Sequence, residues 1–258
     1  MIGAIAGDII GSVYEHNPIK TKEFPLFHPS CVFTDDTVLT VAVAEALLTQ
    51  RSYLDTIRKI GKRYPDCGYG GSFFRWLLAD NPRPYNSWGN GSAMRVSPIG
   101  FAFTTEQDVL REAAHSAEIS HSHPEGIKGA QATALAVFLA GTNQDKETIR
   151  AEIERRFGYD LNRTVESIRP GYSFDVSCQG TVPEAIVAFL DSHSWEDAVR
   201  NAVSLGGDSD TLACITGGIA EGFYGSVPRS VKEKVRKLLP DDLWKITERF
   251  AVTYRSGS

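Results

Sequence analysis

Cysteine is scarce in this 258-residue chain and forms none of the short motifs that bind zinc. The four cysteines lie far apart in the sequence, at Cys31, Cys67, Cys178 and Cys214. No Cys-x-x-Cys pair or Cys-His cluster occurs, which argues against a thiolate zinc site. We therefore expect four free thiols in a reducing compartment.

The chain also lacks long apolar runs, and its first residues do not match the pattern of a secretory signal. No stretch approaches the roughly 18 to 20 uninterrupted apolar residues needed to cross a bilayer. Residues 1–8 are apolar but lack the basic residues that open a secretory signal, so we interpret them as mature protein. A net charge of −5 argues against a surface that mainly neutralises nucleic-acid phosphates. We expect a cytoplasmic protein without a membrane partner; a modified nucleic acid as substrate stays open.

Strand signals and domain linkers are few. Tyr172–Val176 alternates only weakly, and no Asn-Gly or Asp-Gly pair joins two alternating runs. The chain shows no regular repeat of 20 to 50 residues and no Ser/Gly linker, and its terminal Ser-Gly-Ser predicts a frayed end. With 42% hydrophobic residues, a chain of this length can bury one substantial core. We predict a single domain over residues 1–258.

Helical patterns dominate the sequence and predict an all-α fold. Four Ala/Leu-rich segments are apolar nearly throughout, as expected of buried helices: Val38–Leu48, Ala130–Ala140, Pro183–Leu190 and Leu212–Phe223. Two charged segments, Asp145–Arg156 and Val231–Leu239, indicate outer helices with a solvated face. Loops rich in Gly, Pro and Asn are predicted at Tyr64–Gly71, Asn81–Ser92 and Ile168–Thr181.

Two of the buried helices start with the same acidic chemistry. Thr34–Thr37 (TDDT) precedes one, and Asp208–Thr211 (DSDT) precedes the other. Either segment alone is explained by helix capping, in which a hydroxyl or carboxylate accepts a hydrogen bond from an exposed N–H group. A cap needs one acceptor, however, whereas each segment supplies two carboxylates and two hydroxyls. These hard oxygen ligands suit Mg²⁺, Mn²⁺ or Ca²⁺ if the fold brings both helix starts together.

The first segment adds further carboxylates and small residues. Asp8 and Glu15 are seven apart and would share a face if the helix continued that far. Gly7 and Gly11 lie beside them at a spacing of four, which is typical either of a tightly packed face or of the close approach of a ligand.

A glycine-rich turn and a pair of histidines complete the candidate residues. The N–H groups of the turn in Trp88–Arg95 (WGNGSAMR) could bind a pyrophosphate, although a simple loop explains the same pattern. His121 and His123 are two apart, so they would not share a helix face. We favour substrate contact by one of them, or no functional role for either, over a metal-binding pair.

In this order along the chain, these segments resemble the ADP-ribosylglycohydrolases, typified by the dinitrogenase reductase-activating glycohydrolase and by ADP-ribosylarginine and ADP-ribosylserine hydrolases. The matching segments are Gly7–Gly11 with Glu15, Thr34–Thr37, Gly89–Arg95, Ser120 with His121, and Gly206–Thr211. The resemblance covers nearly the whole chain. It implies an all-α orthogonal bundle around a central cleft that holds two divalent cations, Mg²⁺ or Mn²⁺.

The resemblance also implies a role for each matching residue. The implied metal ligands are Thr34, Asp35, Asp36, Asp208, Asp210 and Thr211. Glu15 is implied as the catalytic carboxylate, and Asp8 as a structural residue. The implied contacts to the distal ribose and diphosphate are Asn90, Gly91, Ser92, Met94 and His121. Several members carry glycine in place of Ser92, so a side chain there would narrow the loop.

The implied reaction is hydrolysis at the terminal ribose of an ADP-ribosylated protein or other acceptor, with release of intact ADP-ribose. Such cleavage passes through an oxocarbenium-like state and needs an acid-base carboxylate, the role given to Glu15. Arginine-linked ADP-ribose is the favoured substrate, with serine- and nucleobase-linked forms as alternatives. A non-catalytic ADP-ribose-binding protein and a two-metal phosphohydrolase are the alternatives of other classes. A monomer is expected, because no heptad pattern demands a partner.

Overall fold

The computed structural model describes residues 1–255 and confirms the all-α prediction. Its described residues form no β-strand, and none of their helices is long and apolar enough to span a membrane. Residues 256–258, the predicted frayed end, lie outside the described part. The helices of the described residues are α1 (Ile2–Gly11), α2 (Asp35–Thr49), α3 (Tyr53–Gly61), α4 (Gly71–Leu78), α5 (Gly91–Met94), α6 (Ser97–Ala102), α7 (Glu106–Glu118), α8 (Pro124–Gly141), α9 (Lys146–Phe157), α10 (Val165–Ile168), α11 (Cys178–Leu190), α12 (Trp195–Ser204), α13 (Ser209–Phe223), α14 (Arg229–Leu238) and α15 (Asp241–Arg255).

The four predicted apolar segments lie in α2, α8, α11 and α13, whose residues are mostly buried. The two charged segments form α9 and α14, which bury only two side chains each. The predicted loop at Ile168–Thr181 is shorter than expected, because Ser177 caps α11 by accepting a hydrogen bond from the Gly180 N–H. The weakly alternating Tyr172–Val176 forms no strand and leads into one isolated antiparallel bridge between Gly89 and Ser177.

Glycine packing holds α1 and α13 in an antiparallel contact at the centre of the fold. A Cβ atom on Gly3 would lie 2.3 Å from the Gly217 carbonyl oxygen, and one on Gly11 would lie 2.3 Å from the Ser209 carbonyl oxygen. On Gly7, it would lie 1.9 Å from a carbonyl oxygen of α13. The repeated spacing of four therefore serves backbone packing, one of the two interpretations of this pattern. The contact brings the end of α1 to the start of α13, where the second acidic segment lies.

Candidate active site

A cleft of about 420 Å³ opens where the starts of α2 and α13 meet. Of the residues that the sequence predicted for the site, every one except Ser92 lines this cleft. They are Glu15, Thr34, Asp35, Asp36, Asn90, Gly91, Met94, His121, Asp208, Asp210 and Thr211. The tertiary structure thus brings together segments that are as far as 196 positions apart, from Glu15 to Thr211.

Asp8 holds the start of α2 in place. Its buried carboxylate accepts hydrogen bonds from the backbone N–H groups of Thr34 (3.0 Å) and Thr37 (3.1 Å). It also accepts from both threonine hydroxyls, at 2.7 Å from Thr34 Oγ1 and at short range from Thr37 Oγ1. Because the Thr34 hydroxyl donates its hydrogen to Asp8, a lone pair of its oxygen can face the cleft. This network agrees with a structural rather than a catalytic role for Asp8.

The carboxylates gather at one end of the cleft. Ligand oxygens of Glu15, Asp208 and Asp210 all lie within 4.8 Å of one another. Asp35 and Asp36 lie outside that tight group but line the same cleft, and Asp36 Oδ1 accepts a hydrogen bond from the Thr211 hydroxyl at 3.4 Å.

The electrostatics of this end of the cleft fit a divalent cation. Burial, and then the charge of Asp210, raise the pKa values of Asp35, Asp36 and Asp208 well above their ordinary value. Asp36 Oδ2 is buried without a hydrogen-bond partner among the described residues. No lysine or arginine of residues 1–255 lines the cleft to offset this negative charge. Carboxylate and hydroxyl oxygens are hard ligands that suit Mg²⁺ or Mn²⁺, so the residues fit the expected metal centre.

Glu15 lies in the turn after α1, at the edge of the cleft. The helix ends at Gly11, so the condition under which Asp8 and Glu15 would share a helix face is not met. The chain turns there because the Tyr14 N–H donates to the Gly11 carbonyl at 2.8 Å. The Glu15 side chain is 28% exposed. Burial, and then the charge of Asp210, raise its pKa.

The glycine-rich turn supports the acids as well as lining the cleft. The Asn90 side-chain amide donates to Asp208 Oδ2 at 2.7 Å and to the Thr181 hydroxyl at 3.1 Å, so Asn90 orients a carboxylate of the cluster. Ser92 points away from the cleft, since its buried hydroxyl donates to the Gly126 carbonyl at 2.7 Å. Its side chain therefore does not narrow the loop. The prediction that Ser92 contacts the substrate rests on its backbone N–H alone.

His121 faces the glycine-rich turn from the opposite wall. Its ring is 4% exposed, and a Cβ atom on Gly91 would lie 3.0 Å from His121 Nε2. Glycine at this position keeps open the space in front of the histidine. His123 instead caps α8, where its ring accepts a hydrogen bond from the Glu125 N–H at 3.1 Å.

The sequence did not single out several residues that line the cleft. They are Leu39, Gly68, Gly70, Gly71, Ser72, Phe73, Tyr85, Ser87, Phe174 and Val176. The three glycines among them lie on the predicted loop Tyr64–Gly71, where their number was the available signal. Phe174 is 54% exposed at the cleft edge. The Val176 carbonyl accepts from the Asn90 N–H at 2.8 Å, which ties this segment to the glycine-rich turn.

Comparison with known proteins agrees with this geometry. The family model described as ADP-ribosylglycohydrolase matches residues 1–257. The chain is 28% identical to an ADP-ribosylhydrolase ARH3 of Mus musculus, over 89% of this chain and 84% of the relative. It is 24% identical to an ADP-ribosylarginine hydrolase of Pseudomonas putida, over 91% of this chain and 72% of the relative.

A solved structure shows the same fold. The chain matches a protein described as an ADP-ribosylglycohydrolase-related protein complex with a TM-score of 0.71 and 26% sequence identity. The match covers 92% of this chain and 94% of the solved chain. The resemblance inferred from the five sequence segments is therefore confirmed.

Proposed function

The chain belongs to the ADP-ribosylglycohydrolase family, and from this premise we propose that it removes ADP-ribose from arginine side chains of modified proteins. The coarser activity follows from the family and its named relatives: the protein is a metal-dependent enzyme that hydrolyses glycosidic bonds of ADP-ribosyl groups. The proposal adds the acceptor, the residues and the ions.

The grouping of Glu15 with Asp208 and Asp210 within 4.8 Å carries the proposal, because it joins a carboxylate at the cleft edge to a cation-binding cluster. The proposed ligands of two Mg²⁺ or Mn²⁺ ions are Thr34, Asp35, Asp36, Asp208, Asp210 and Thr211. When bound, the cations supply positive charge that orients the ribose hydroxyls and stabilises negative charge as it develops.

Glu15 is the proposed general acid and base. Burial favours its protonated form, so the carboxyl retains a proton to higher pH than a free glutamate does. A protonated Glu15 donates to the leaving nitrogen as the glycosidic bond breaks, and the resulting carboxylate accepts a proton from the attacking water. The 28% exposure of its side chain leaves room for the acceptor at the edge of the cleft.

The diphosphate of the substrate is proposed to lie against the cleft surface that the glycine-rich turn and the adjacent His121 form together. The first N–H groups of α5, on Gly91 and Ser92, precede any partner within the helix and so are donors for phosphate oxygens. Since the lining found in residues 1–255 lacks lysine and arginine, these neutral donors and the cations would bind the anion together. Tyr85 and Phe174 supply aromatic surface for a base.

The arginine acceptor is proposed from one named relative, the ADP-ribosylarginine hydrolase. The charge of the cleft does not favour it over serine, because two divalent cations would offset the four aspartates that are proposed to bind them. Serine- and nucleobase-linked ADP-ribose are the alternative substrates.

The test is incubation with arginine-, serine- and nucleobase-linked ADP-ribose in Mg²⁺, Mn²⁺ or EDTA, with mass identification of the released nucleotide. We expect intact ADP-ribose from the arginine conjugate, and none in EDTA. Preferential release from another conjugate would overturn the arginine assignment. Release of AMP would indicate a phosphohydrolase, and binding of ADP-ribose without release would indicate a non-catalytic binding protein.

A further inference from the structure

A buried hydrogen-bonded chain runs from Arg95 through Ser120 to His121 and ends at the cleft. One Arg95 guanidinium nitrogen donates to the Ser120 hydroxyl at 3.2 Å and to the Ser116 carbonyl at 2.5 Å. The Ser120 Oγ lies 2.8 Å from His121 Nδ1. Arg95 and Ser120 are both 0% exposed, so bulk water does not compete for these contacts. The other ring nitrogen, Nε2, faces Gly91.

The direction of the hydrogen bonds follows from the chemistry of the three groups. A guanidinium has N–H donors and no acceptor, so Ser120 Oγ must accept from Arg95. The hydroxyl hydrogen of Ser120 is buried and has no other acceptor among the described residues, so it is satisfied only if it points to the lone pair of His121 Nδ1. A neutral imidazole carries one hydrogen, and that hydrogen is left on Nε2.

We propose that Arg95 and Ser120 are positioning residues that hold His121 as the neutral Nε2–H tautomer, so that it presents an uncharged hydrogen-bond donor to the diphosphate. That the donor binds a diphosphate rests on the proposed function. The assignment of the tautomer is independent of that function. The protonated Nε2 also cannot bind a metal, which leaves the divalent cations to the oxygen ligands across the cleft.

The surroundings of the ring keep it uncharged. Burial lowers the pKa of His121 well below its ordinary value, and the charge of Arg95 lowers it further. Burial lowers the pKa of Arg95 to about 10, so the guanidinium stays charged at neutral pH. The neighbouring rings are those of Phe73, with centroids 6.3 Å apart, and Tyr85, at 5.9 Å. No carboxylate is among the groups that shift this pKa.

The experiment reads the tautomer directly in ¹⁵N-histidine-labelled protein without metal or substrate. Two-bond ¹H–¹⁵N correlation spectra should show His121 with hydrogen on Nε2 only at neutral pH. Hydrogen on Nδ1, or on both nitrogens at pH 7, would overturn the inference whether or not the protein hydrolyses any conjugate. Failure of the proposed function would appear separately, in the assay of released ADP-ribose.

Ser120→Ala and Ser116→Ala form a matched pair of variants. Both remove a buried hydroxyl near Arg95, but the Ser116 hydroxyl has no partner among the described residues and lies outside the chain of donors. Ser120→Ala should give a mixture of tautomers and weaken ADP-ribose binding in Mg²⁺ by about threefold to tenfold, the loss expected for one hydrogen bond. Ser116→Ala should leave both unchanged. A single Nε2–H tautomer in Ser120→Ala would refute the positioning role.

Discussion

Replacing Gly7 with alanine tests whether the close contact between α1 and α13 holds the proposed metal ligands in position. An alanine Cβ would lie 1.9 Å from the Ala213 carbonyl oxygen and 2.4 Å from its carbonyl carbon. Ordinary contact begins at 3.4 Å, so relief at the oxygen needs a displacement of about 1.5 Å, the difference between 3.4 and 1.9. The obstructing atoms are backbone, so no side chain can rotate away and the helices themselves must move apart.

The expected cost follows from this displacement. Overpacking costs about 1–3 kcal/mol of unfolding free energy, and a backbone clash belongs at the upper end. Alanine recovers about 1 kcal/mol through its higher helix propensity. The net loss of about 2 kcal/mol lowers Tm by about 4–8 °C for a domain of this size. Because Asp8 and the start of α13 move with the two helices, Mg²⁺ affinity should fall about tenfold or more.

Thermal unfolding and Mg²⁺ titration calorimetry measure the two effects. The matched control is Gly141→Ala at the end of α8, where a Cβ atom would meet nothing within 4 Å. That variant should keep the wild-type Mg²⁺ affinity, and its Tm should equal or exceed that of the wild type, because alanine gains helix propensity there without a clash. A Gly7→Ala variant with wild-type values for both quantities would refute the packing argument.

The remaining predictions concern the acids of the cleft. Glu15→Gln should lower turnover by about 10²–10⁴-fold while ADP-ribose still binds in Mg²⁺; near-normal turnover would exclude Glu15 from catalysis. Asp210→Ala should weaken Mg²⁺ and ADP-ribose binding in calorimetry, and unchanged Mg²⁺ affinity would remove Asp210 from the ligand set. In EDTA, stability should fall as pH rises from about 5 to 7. Burial raises the pKa of Asp8 from 3.8 to about 7, so the native state binds more protons than the unfolded chain and this stabilisation is lost as pH rises through 7. Melting curves across that range in EDTA measure it, and a rising Tm would contradict it.

The sequence was sufficient to predict the fold class and most of the polar residues that line the cleft. The apolar pattern of a sequence predicts buried helices, because it involves neighbours no more than four residues apart. The helices α2, α8, α11 and α13 were predicted in this way. The excess of carboxylates at Thr34–Thr37 and Asp208–Thr211 indicated hard oxygen ligands, and it was visible because the residues of each segment are neighbours in the chain. The family resemblance supplied the roles that we propose for Glu15 and His121, which composition and spacing alone did not determine.

Other features required the tertiary structure. The end of α1 at Gly11 is set by a turn that the spacing does not reveal, so Asp8 and Glu15 do not share the face that a longer helix would give them. The sequence also did not reveal three sets of hydrogen bonds. They are the bond from Asn90 to Asp208, the bond from the Ser92 hydroxyl to a carbonyl away from the cleft, and the chain from Arg95 to His121.

The amino-acid sequence by itself determined which segments are helical and which chemistry each helix start carries. Helix packing decided that the two acidic helix starts, more than 170 positions apart, meet in one cleft. Gly3, Gly7 and Gly11 permit the backbone contact between α1 and α13 that brings them together. Helix propensity and capping depend on near neighbours in the chain, whereas a shared site depends on the distance and angle between packed helices.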